Sequence, residues 1–180
     1  LAVTDLSLGQ IEELRQALLY FNRSKKFSLG YFDSSDEMNC NEATKFYYLA
    51  TACSEIIASP LAVVNIPGLL LNTTFLKRLL EKLALQYEGT KREEYKVFLN
   101  TFTEESYTDP HREMMQSIIN DMNGYLVAQI AKERKLEAEV IERWFTTACF
   151  TCKEALHEKV IDCIMAKDEV YEYAKQKVGG

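Results

Sequence analysis

Apolar residues recur at every third or fourth position along much of this chain, which is the spacing of an amphipathic helix. The first such stretch covers residues 8–21, with Ser7 as a candidate N-cap and Gln10 three residues later, as in a capping box. The same spacing predicts six more helices. They cover residues 43–57, 73–83, 109–135, 137–145, 151–157 and 168–177, with Asn72 or Thr73 as the cap of the helix at 73–83.

Short β-rich runs lie between these helices and predict strands. The runs cover residues 27–32, 61–66, 86–91 and 160–162, and a polar, acidic loop is predicted at 33–41. Helices and strands alternate in the first half of the chain, whereas helices dominate the second half. That order predicts an α/β fold with a small sheet rather than a helical bundle. Because no repeat or linker divides the sequence, we expect residues 1–180 to form a single domain.

Composition narrows the class of protein. The chain has 180 residues, 47% of them hydrophobic and 27% charged, which is the make-up of a globular domain with a sizeable core. Its 21 basic and 27 acidic residues give a net charge of −6 without any long basic run, so we expect no nucleic-acid partner. The most apolar window, residues 60–71, contains two prolines and a glycine, so no transmembrane helix is predicted.

Most familiar catalytic signatures are absent from the sequence. It has no glycine-rich phosphate loop, no Gly-x-Ser-x-Gly elbow and no His-Glu-x-x-His motif. The two histidines, His111 and His157, lie far apart, and we expect surface or capping roles for both rather than a Ser/His/Asp triad. Cys149 and Cys152 form a Cys-x-x-Cys motif without the second pair that zinc would need. We therefore expect a structural role for these cysteines and predict no metal and no cofactor.

One charged segment has more chemical interest. Residues 91–96 carry Lys91, Arg92 and Lys96, and a charge run of this kind is typical of a solvated face. A lysine can also act as a general base when burial lowers its pKa toward neutrality. Lys96 lies between Tyr95 and the apolar residues 97–99, so it is the basic residue that we expect to point into an apolar setting.

The order and spacing of several segments resemble those of one known family. These segments lie at residues 10–18, 24–27, 46–56, 67–69, 75–83, 95–96, 100–104, 110–113, 127–134 and 154–162. Together they resemble the signal peptide peptidase A family, also called protease IV, over essentially the whole chain. The likeness is to the first, lysine-bearing half of the long, two-half form, which includes the plant chloroplast type. The resemblance implies a Clp-protease/crotonase-like fold, a spiral of β-β-α units. It implies a partial spiral that lacks the first strand and has a helix-rich second half.

The resemblance also implies a chemistry. The family cleaves peptides in or near membranes with a serine nucleophile and a lysine general base, and in the long form the serine comes from the second half. Tyr95-Lys96 matches the family's Tyr-Lys context, so by resemblance Lys96 inherits the role of general base. We do not expect the chain to be active alone. The resemblance further implies a peptide or membrane-protein substrate and a homo- or hetero-oligomer. Membrane association would come through segments or partners outside this chain, in an organelle such as a plastid or mitochondrion.

Departures from the family pattern favour an alternative. Short family members carry the nucleophile in a Ser-Gly-Gly-Tyr-Tyr run, whereas here Thr44 stands at the serine position and Lys45-Phe46 replace the glycines. Bulky residues would crowd the tight turn and the oxyanion donors, so Thr44 marks a degenerate nucleophile position. Residues 97–99 are also bulky where the family often has small residues. The alternative is a catalytically inactive homologue that serves as a structural subunit of a larger assembly. A generic α/β interaction domain is the third hypothesis.

Overall fold

The computed structural model of the chain describes residues 6–24, 26–33, 40–90 and 95–178. The described helices are α1 (Leu8–Asn22), α2 (Cys40–Ala50), α3 (Lys77–Lys82), α4 (Asn100–Thr103), α5 (Asp109–Arg134), α6 (Ala138–Thr147), α7 (Cys152–His157) and α8 (Lys167–Val178), and a 3-10 helix covers Val97–Leu99. The described strands are β1 (Leu29–Phe32), β2 (Glu55–Ala58), β3 (Val63–Asn65), β4 (Cys149–Thr151) and β5 (Cys163–Ile164). None of these helices combines the length and the apolarity needed to cross a membrane.

Local sequence signals set the ends of several helices. The Ser7 hydroxyl accepts a hydrogen bond from the Gln10 backbone N–H at 3.3 Å, and the Gln10 side chain accepts one from the Ser7 N–H at 2.9 Å. The predicted capping box of α1 is therefore confirmed. Thr151 and Glu154 form the same arrangement at the start of α7. The predicted start of α5 is confirmed as well, with Pro110 in the first turn, where a backbone N–H has no intrahelical partner.

β1, β2 and β5 form a three-stranded parallel sheet in which β2 is the central strand. β1 and β2 pair from Leu29 opposite Glu55 to Phe32 opposite Ala58, and α2 is the crossover between them. Gly30 permits the close approach of α2, because a Cβ atom at residue 30 would lie 3.2 Å from the Cβ atom of Ala50. The mixed α/β class predicted from the sequence is therefore confirmed.

The end of the predicted helix at 43–57 is a strand instead. α2 ends at Ala50, and residues 51–54 turn the chain into β2. Ile56, Ile57 and Ala58 are fully buried because β2 is the central strand of the parallel sheet. The helical prediction was wrong there, since a short apolar run fits either spacing and only pairing with β1 and β5 decides between them.

A second, antiparallel sheet joins β3 to β4, with Val64 opposite Phe150. β3 lies inside the β-rich run predicted at 61–66, so that prediction is confirmed. β4 has only three residues and was not predicted, because such a short segment becomes a strand only through its partner.

The start of α3 differs from the prediction. Neither Asn72 nor Thr73 caps it; α3 begins at Lys77, and its N-cap position, Leu76, makes no side-chain capping bond. The backbone N–H of Leu76 donates instead to the carbonyl oxygen of Thr101 at 2.7 Å. A contact with a residue distant in sequence therefore sets this helix end, where a local cap was expected.

Two strand predictions also need correction. A strand was predicted over residues 86–91, but none forms over residues 86–90, which are all exposed. Lys91 lies outside the described residues. The strand predicted at 160–162 lies slightly later, as β5. Val160 cannot extend it, because its N–H donates to the carbonyl oxygen of Ala155 at 2.8 Å in the turn that closes α7.

The chain forms two compact units: unit 1 comprises residues 1–69 and 125–180, and unit 2 comprises residues 70–124. Both sheets and the apolar core belong to unit 1. The expectation of one domain over residues 1–180 stays a prediction. The largest fully buried apolar side chains of the core are Ile11, Tyr47, Tyr48, Ile56, Ile57, Ile66, Leu126, Ile130, Ile141, Trp144 and Ile161.

The interior of unit 2 is polar by comparison. Among its described residues, Asn100 and His111 are the two with buried side chains. Leu79, Leu83 and Phe98, which would be core residues in an ordinary domain, are exposed. Unit 2 is therefore organised by a few aromatic and polar contacts and not by an extended apolar core.

Candidate active site

Lys96, the predicted general base, lies in unit 2 at the N-cap of the 3-10 helix Val97–Leu99. Its side chain is exposed, and the described residues of unit 2 do not enclose it. The expectation that Lys96 points into an apolar setting is therefore wrong. The neighbouring Phe98 is itself 76% exposed. A 3-10 helix spreads three successive side chains around one turn, and here the middle one points to solvent.

Two side-chain contacts hold the backbone on either side of Lys96. The Tyr95 hydroxyl donates to Oε2 of Glu113 at 3.2 Å. On the other side, the buried Asn100 begins α4, and its Nδ2 atom lies 3.5 Å from Nδ1 of His111. Glu113 and His111 both belong to the first turns of α5, so the segment that carries Lys96 is attached at both ends to the same helix.

His111 is a buried residue and not the surface or capping residue that the sequence predicted. Its side chain is 2% exposed, and its ring meets the rings of Tyr107 and Phe75 edge-on at centroid distances of 4.7 and 6.1 Å. Burial lowers the pKa of His111, so the ring is neutral at neutral pH. The other histidine, His157, is exposed, as predicted.

Thr44, the predicted degenerate nucleophile position, lies inside α2 in unit 1. Its side chain is fully buried, and its hydroxyl donates to the carbonyl oxygen of Gly68 at 2.7 Å. Gly68 has a φ of 78°, a backbone conformation that glycine adopts without strain. Thr44 therefore ties α2 to the turn at Pro67-Gly68, and its oxygen is not accessible from solvent.

The two tyrosines that follow Thr44 belong to the core of unit 1. The hydroxyl of Tyr47 donates to the carbonyl oxygen of Val160 at 2.9 Å, and that of Tyr48 donates to Oε2 of Glu12 at 2.5 Å. Burial raises the pKa of both phenols well above the usual range, so both remain protonated donors. Their arrangement is structural.

The sequence did not predict the buried arginine that lies beside Tyr48. Arg15 of α1 is fully buried, with its guanidinium 4.6 Å from the centroid of the Tyr48 ring and 3.5 Å from Oε1 of Glu133. Its spacing of four residues from the buried Ile11 puts it on the core face of α1. That spacing was the available signal, but charge at this position argued for an exposed residue.

The two cysteines of the Cys-x-x-Cys motif lie in different environments. Cys149 is exposed and Cys152 is buried, and both are free thiols. The Cys152 thiol donates to the carbonyl oxygens of Ser59 and Ala62 at 2.8 and 2.9 Å, and burial raises its pKa. Within the described part of the chain, no group of three or more His, Cys, Asp or Glu residues is placed to hold a metal ion.

Comparisons with known proteins relate the sequence of this chain to one family. The sequence profile of peptidase family S49 matches residues 37–179, a region that includes Thr44 and Lys96. The chain is 24% identical over 171 residues to "Serine protease SPPA, chloroplastic" of Arabidopsis thaliana, across 95% of this chain and 24% of that relative. It is 26% identical over 132 residues to "Putative protease slr0021" of Synechocystis sp., across 73% of this chain and 47% of that relative. The aligned segments thus span about a quarter and about half of these two proteins.

Proposed function

Because the chain belongs to peptidase family S49, the signal peptide peptidase A family, we propose that it is the lysine-bearing part of a serine peptidase with a Ser/Lys dyad. In this proposal Lys96 is the general base. The serine comes from a second half of the same polypeptide or from a partner subunit. The chain alone is not expected to hydrolyse peptides.

The setting of Lys96 is the observation that carries this proposal. Lys96 belongs to a Tyr-Lys pair inside the matched region, and its side chain is exposed while the backbone on both sides is held to α5. A lysine that must meet a serine from elsewhere has to be accessible before that serine arrives. A fixed backbone with an exposed amine satisfies this requirement.

The proposed reaction uses the lysine twice. A neutral Lys96 amine accepts the proton of the serine hydroxyl as the serine oxygen attacks the carbonyl carbon of the scissile peptide. That proton passes to the leaving amine as the C–N bond breaks, and an acyl-serine ester remains. Water then attacks the ester carbonyl carbon: the same lysine accepts a proton from the water and donates it to the serine oxygen as the acyl C–O bond breaks, which releases the acid and restores both residues.

A second candidate function is a catalytically inactive homologue that keeps the fold as a structural subunit of a larger assembly. The bulky residues 97–99 beside Lys96 favour it, because the family often has small residues there. The buried Thr44 agrees with both candidates, because the proposed peptidase also takes its serine from elsewhere. The two candidates differ in one requirement, since Lys96 is expendable in an inactive homologue.

Substitution of Lys96 in the full-length protein separates the two candidates. If the lysine is the general base, Lys96→Ala lowers turnover of a peptide substrate by ~10²–10⁴-fold. Lys82→Ala, at an exposed lysine of α3 in the same unit, is the matched control and leaves turnover unchanged. Equal turnover of the Lys96→Ala variant and the native protein would eliminate the base role.

The source of the serine is a separate question with a direct measurement. The intact mass of the native polypeptide, together with a peptide map, establishes whether the mature protein carries a Ser-Gly-Gly segment elsewhere. Such a segment, in the polypeptide or in a copurifying partner, supports the enzyme. Its absence from both, together with a turnover of zero, supports the inactive homologue.

The remaining parts of the proposal concern the context of the peptidase. We propose that the parallel sheet is part of a Clp-protease/crotonase-like spiral and that the substrate is a peptide or membrane protein. Association into a homo- or hetero-oligomer and membrane attachment through other segments or partners belong to the same proposal. The chloroplastic relative supports a plastid location. Fractionation of organelle membranes and size-exclusion chromatography of the native protein test these points.

A further inference from the structure

The two buried side chains in the described part of unit 2 are both polar, and they contact each other. Asn100 is fully buried and His111 is 2% exposed. Burying an amide and an imidazole costs free energy unless their polar atoms are paired. An apolar pair at these positions would avoid this cost. We therefore expect a function that requires the polar pair.

Asn100 contacts His111 and a residue just before α5. Nδ2 of Asn100 lies 3.3 Å from Oγ1 of Thr108 and 3.5 Å from Nδ1 of His111. With Nδ2 of Asn100 as the donor, the accepting atom is Nδ1 of the His111 tautomer that carries its proton on Nε2. The rings of Phe75 and Tyr107 pack edge-on against the imidazole and fix its plane.

The same pair is connected to Lys96 by a short helical path. The 3-10 helix Val97–Leu99 leads directly from Lys96 into α4, whose first residue is Asn100. The Thr103 hydroxyl donates to the carbonyl oxygen of Leu99 at 3.2 Å and joins the two short helices. Movement of the Asn100 side chain would therefore be transmitted to the backbone of Lys96.

We propose that Asn100 and His111 are positioning residues that hold the backbone of Lys96 against α5, opposite the hydrogen bond between Tyr95 and Glu113. This inference rests on the proposed role of Lys96 as general base. An exposed lysine side chain has many rotamers, so the direction of its Cα–Cβ bond is what unit 2 contributes to the geometry of the dyad. Misplacement of a reacting group by about 1 Å can cost about 10²-fold in rate.

The test uses three histidine variants of the full-length protein. His111→Leu removes the acceptor for Asn100, and His111→Gln keeps an acceptor of similar length. His157→Gln is the matched control at the exposed histidine. The measurements are kcat and KM with a peptide substrate, and amide hydrogen exchange of residues 97–103. We expect His111→Leu to raise exchange in that segment and to lower kcat by about 10–100-fold with little change in KM. We expect His111→Gln to recover most of both, and His157→Gln to match the native protein.

Each outcome has a definite meaning. Unchanged exchange at residues 97–103 in His111→Leu overturns the positioning role, whatever the activity. Raised exchange with unchanged kcat overturns it too, provided that Lys96→Ala abolishes turnover, and it leaves the proposed function standing. If Lys96→Ala keeps full turnover, the proposed function fails, and positioning for catalysis fails with it. If His111→Gln restores the native exchange of residues 97–103 but not kcat, the contact with Asn100 does not set the activity, and the inference is overturned.

Discussion

Units 1 and 2 obtain their order in different ways. Unit 1 buries a continuous set of apolar side chains around a parallel sheet, whereas unit 2 buries Asn100 and His111 among its described residues. α5 shows the contrast along a single helix: Ile130 in unit 1 has no exposed surface, and Ile118 in unit 2 is 42% exposed. The same apolar spacing therefore leads to a core position in one unit and to a half-open position in the other.

This difference separates stability from the candidate chemistry. The core that stabilises the chain is in unit 1, and Lys96 is in the less deeply packed unit 2. Segments with few buried apolar contacts open at low free-energy cost, and functional loops are often found among them. Because the described residues of unit 2 bury so few apolar side chains, we infer that the polar contacts among them matter more than comparable contacts in unit 1.

The largest effect should come from removing core volume from unit 1. Ile130→Ala is expected to cost about 2–5 kcal/mol of unfolding free energy, because it creates a cavity in a fully packed site. Ile118→Ala on the same helix should cost less than about 1 kcal/mol, because its side chain is already part exposed. Urea unfolding followed by the fluorescence of Trp144, the single tryptophan, measures both variants. Equal costs would contradict the inference that burial of the side chain sets the difference between the two positions.

The next largest effect should come from breaking a polar latch in unit 1, formed by Asp162, Arg134 and Ile56. The Asp162 carboxylate accepts hydrogen bonds from two nitrogens of Arg134 at 3.0 and 2.9 Å and from the Ile56 N–H at 2.7 Å. Asp162→Asn is expected to cost about 1–3 kcal/mol, since Arg134 is mostly buried and would lose its charged partner.

The matched control for this latch is an exposed ion pair on the same unit. Glu158→Gln breaks the pair with Arg143, and we expect it to cost less than about 1 kcal/mol. The same urea transitions measure it. A similar cost for the two carboxylates would show that burial of the arginine does not set the strength of the latch.

Thr44→Val should have a smaller effect and separates its structural role from a catalytic one. The variant keeps the side-chain shape but leaves the Gly68 carbonyl without its donor, at a cost of about 1–2 kcal/mol. Thr74→Val, at an exposed threonine, is the control and should be within about 0.5 kcal/mol of the native protein. Peptide turnover per folded molecule should not change. A loss of turnover without a loss of stability would assign Thr44 to the chemistry instead.

The smallest expected effect is a pH dependence confined to unit 2. Burial lowers the pKa of His111 below the model-compound value of 6.5, so the unfolded state binds a proton more readily than the folded state. The His111 contribution is complete above about pH 6.5, and stability of unit 2 falls as the pH drops below that value toward the folded pKa. Amide exchange of residues 97–103 at about pH 5.5 and about pH 7.5, corrected for intrinsic rates, measures it. His111→Gln should flatten the response, and a dependence that persists in that variant would assign it to other groups.

Several parts of the fold followed from short sequence signals. The N-cap Ser7 and the start of α5 at Asp109 lie at the predicted positions, and α7 begins one residue after its predicted start at Thr151. Caps and helix starts depend on hydrogen bonds between residues three or four positions apart, so neighbouring residues suffice to predict them. The strand at β2 did not follow, because Ile56 and Ile57 become a strand only by pairing with β1 and β5.

The candidate site divides in the same way. Lys96 was identified through its Tyr-Lys context, and Thr44 was identified as a position without a serine, both from sequence alone. The exposure of Lys96, the burial of His111 and the burial of Arg15 were not predicted. From sequence alone, a charged or titratable residue is expected to be exposed, and a residue with apolar neighbours is expected to be buried. Only the packing partners show where these expectations fail.

The sequence by itself therefore determined the capping box of α1, the start of α5, the mixed α/β class, the family resemblance and the lysine to be tested. These features depend on residues close together in the chain or on the order of segments. The tertiary structure decided that β2 is a central strand, that Thr44 bonds to Gly68, and that His111 lies against Asn100. Burial and strand pairing are set by residues far apart in the chain, and for that reason only the folded molecule could assign them.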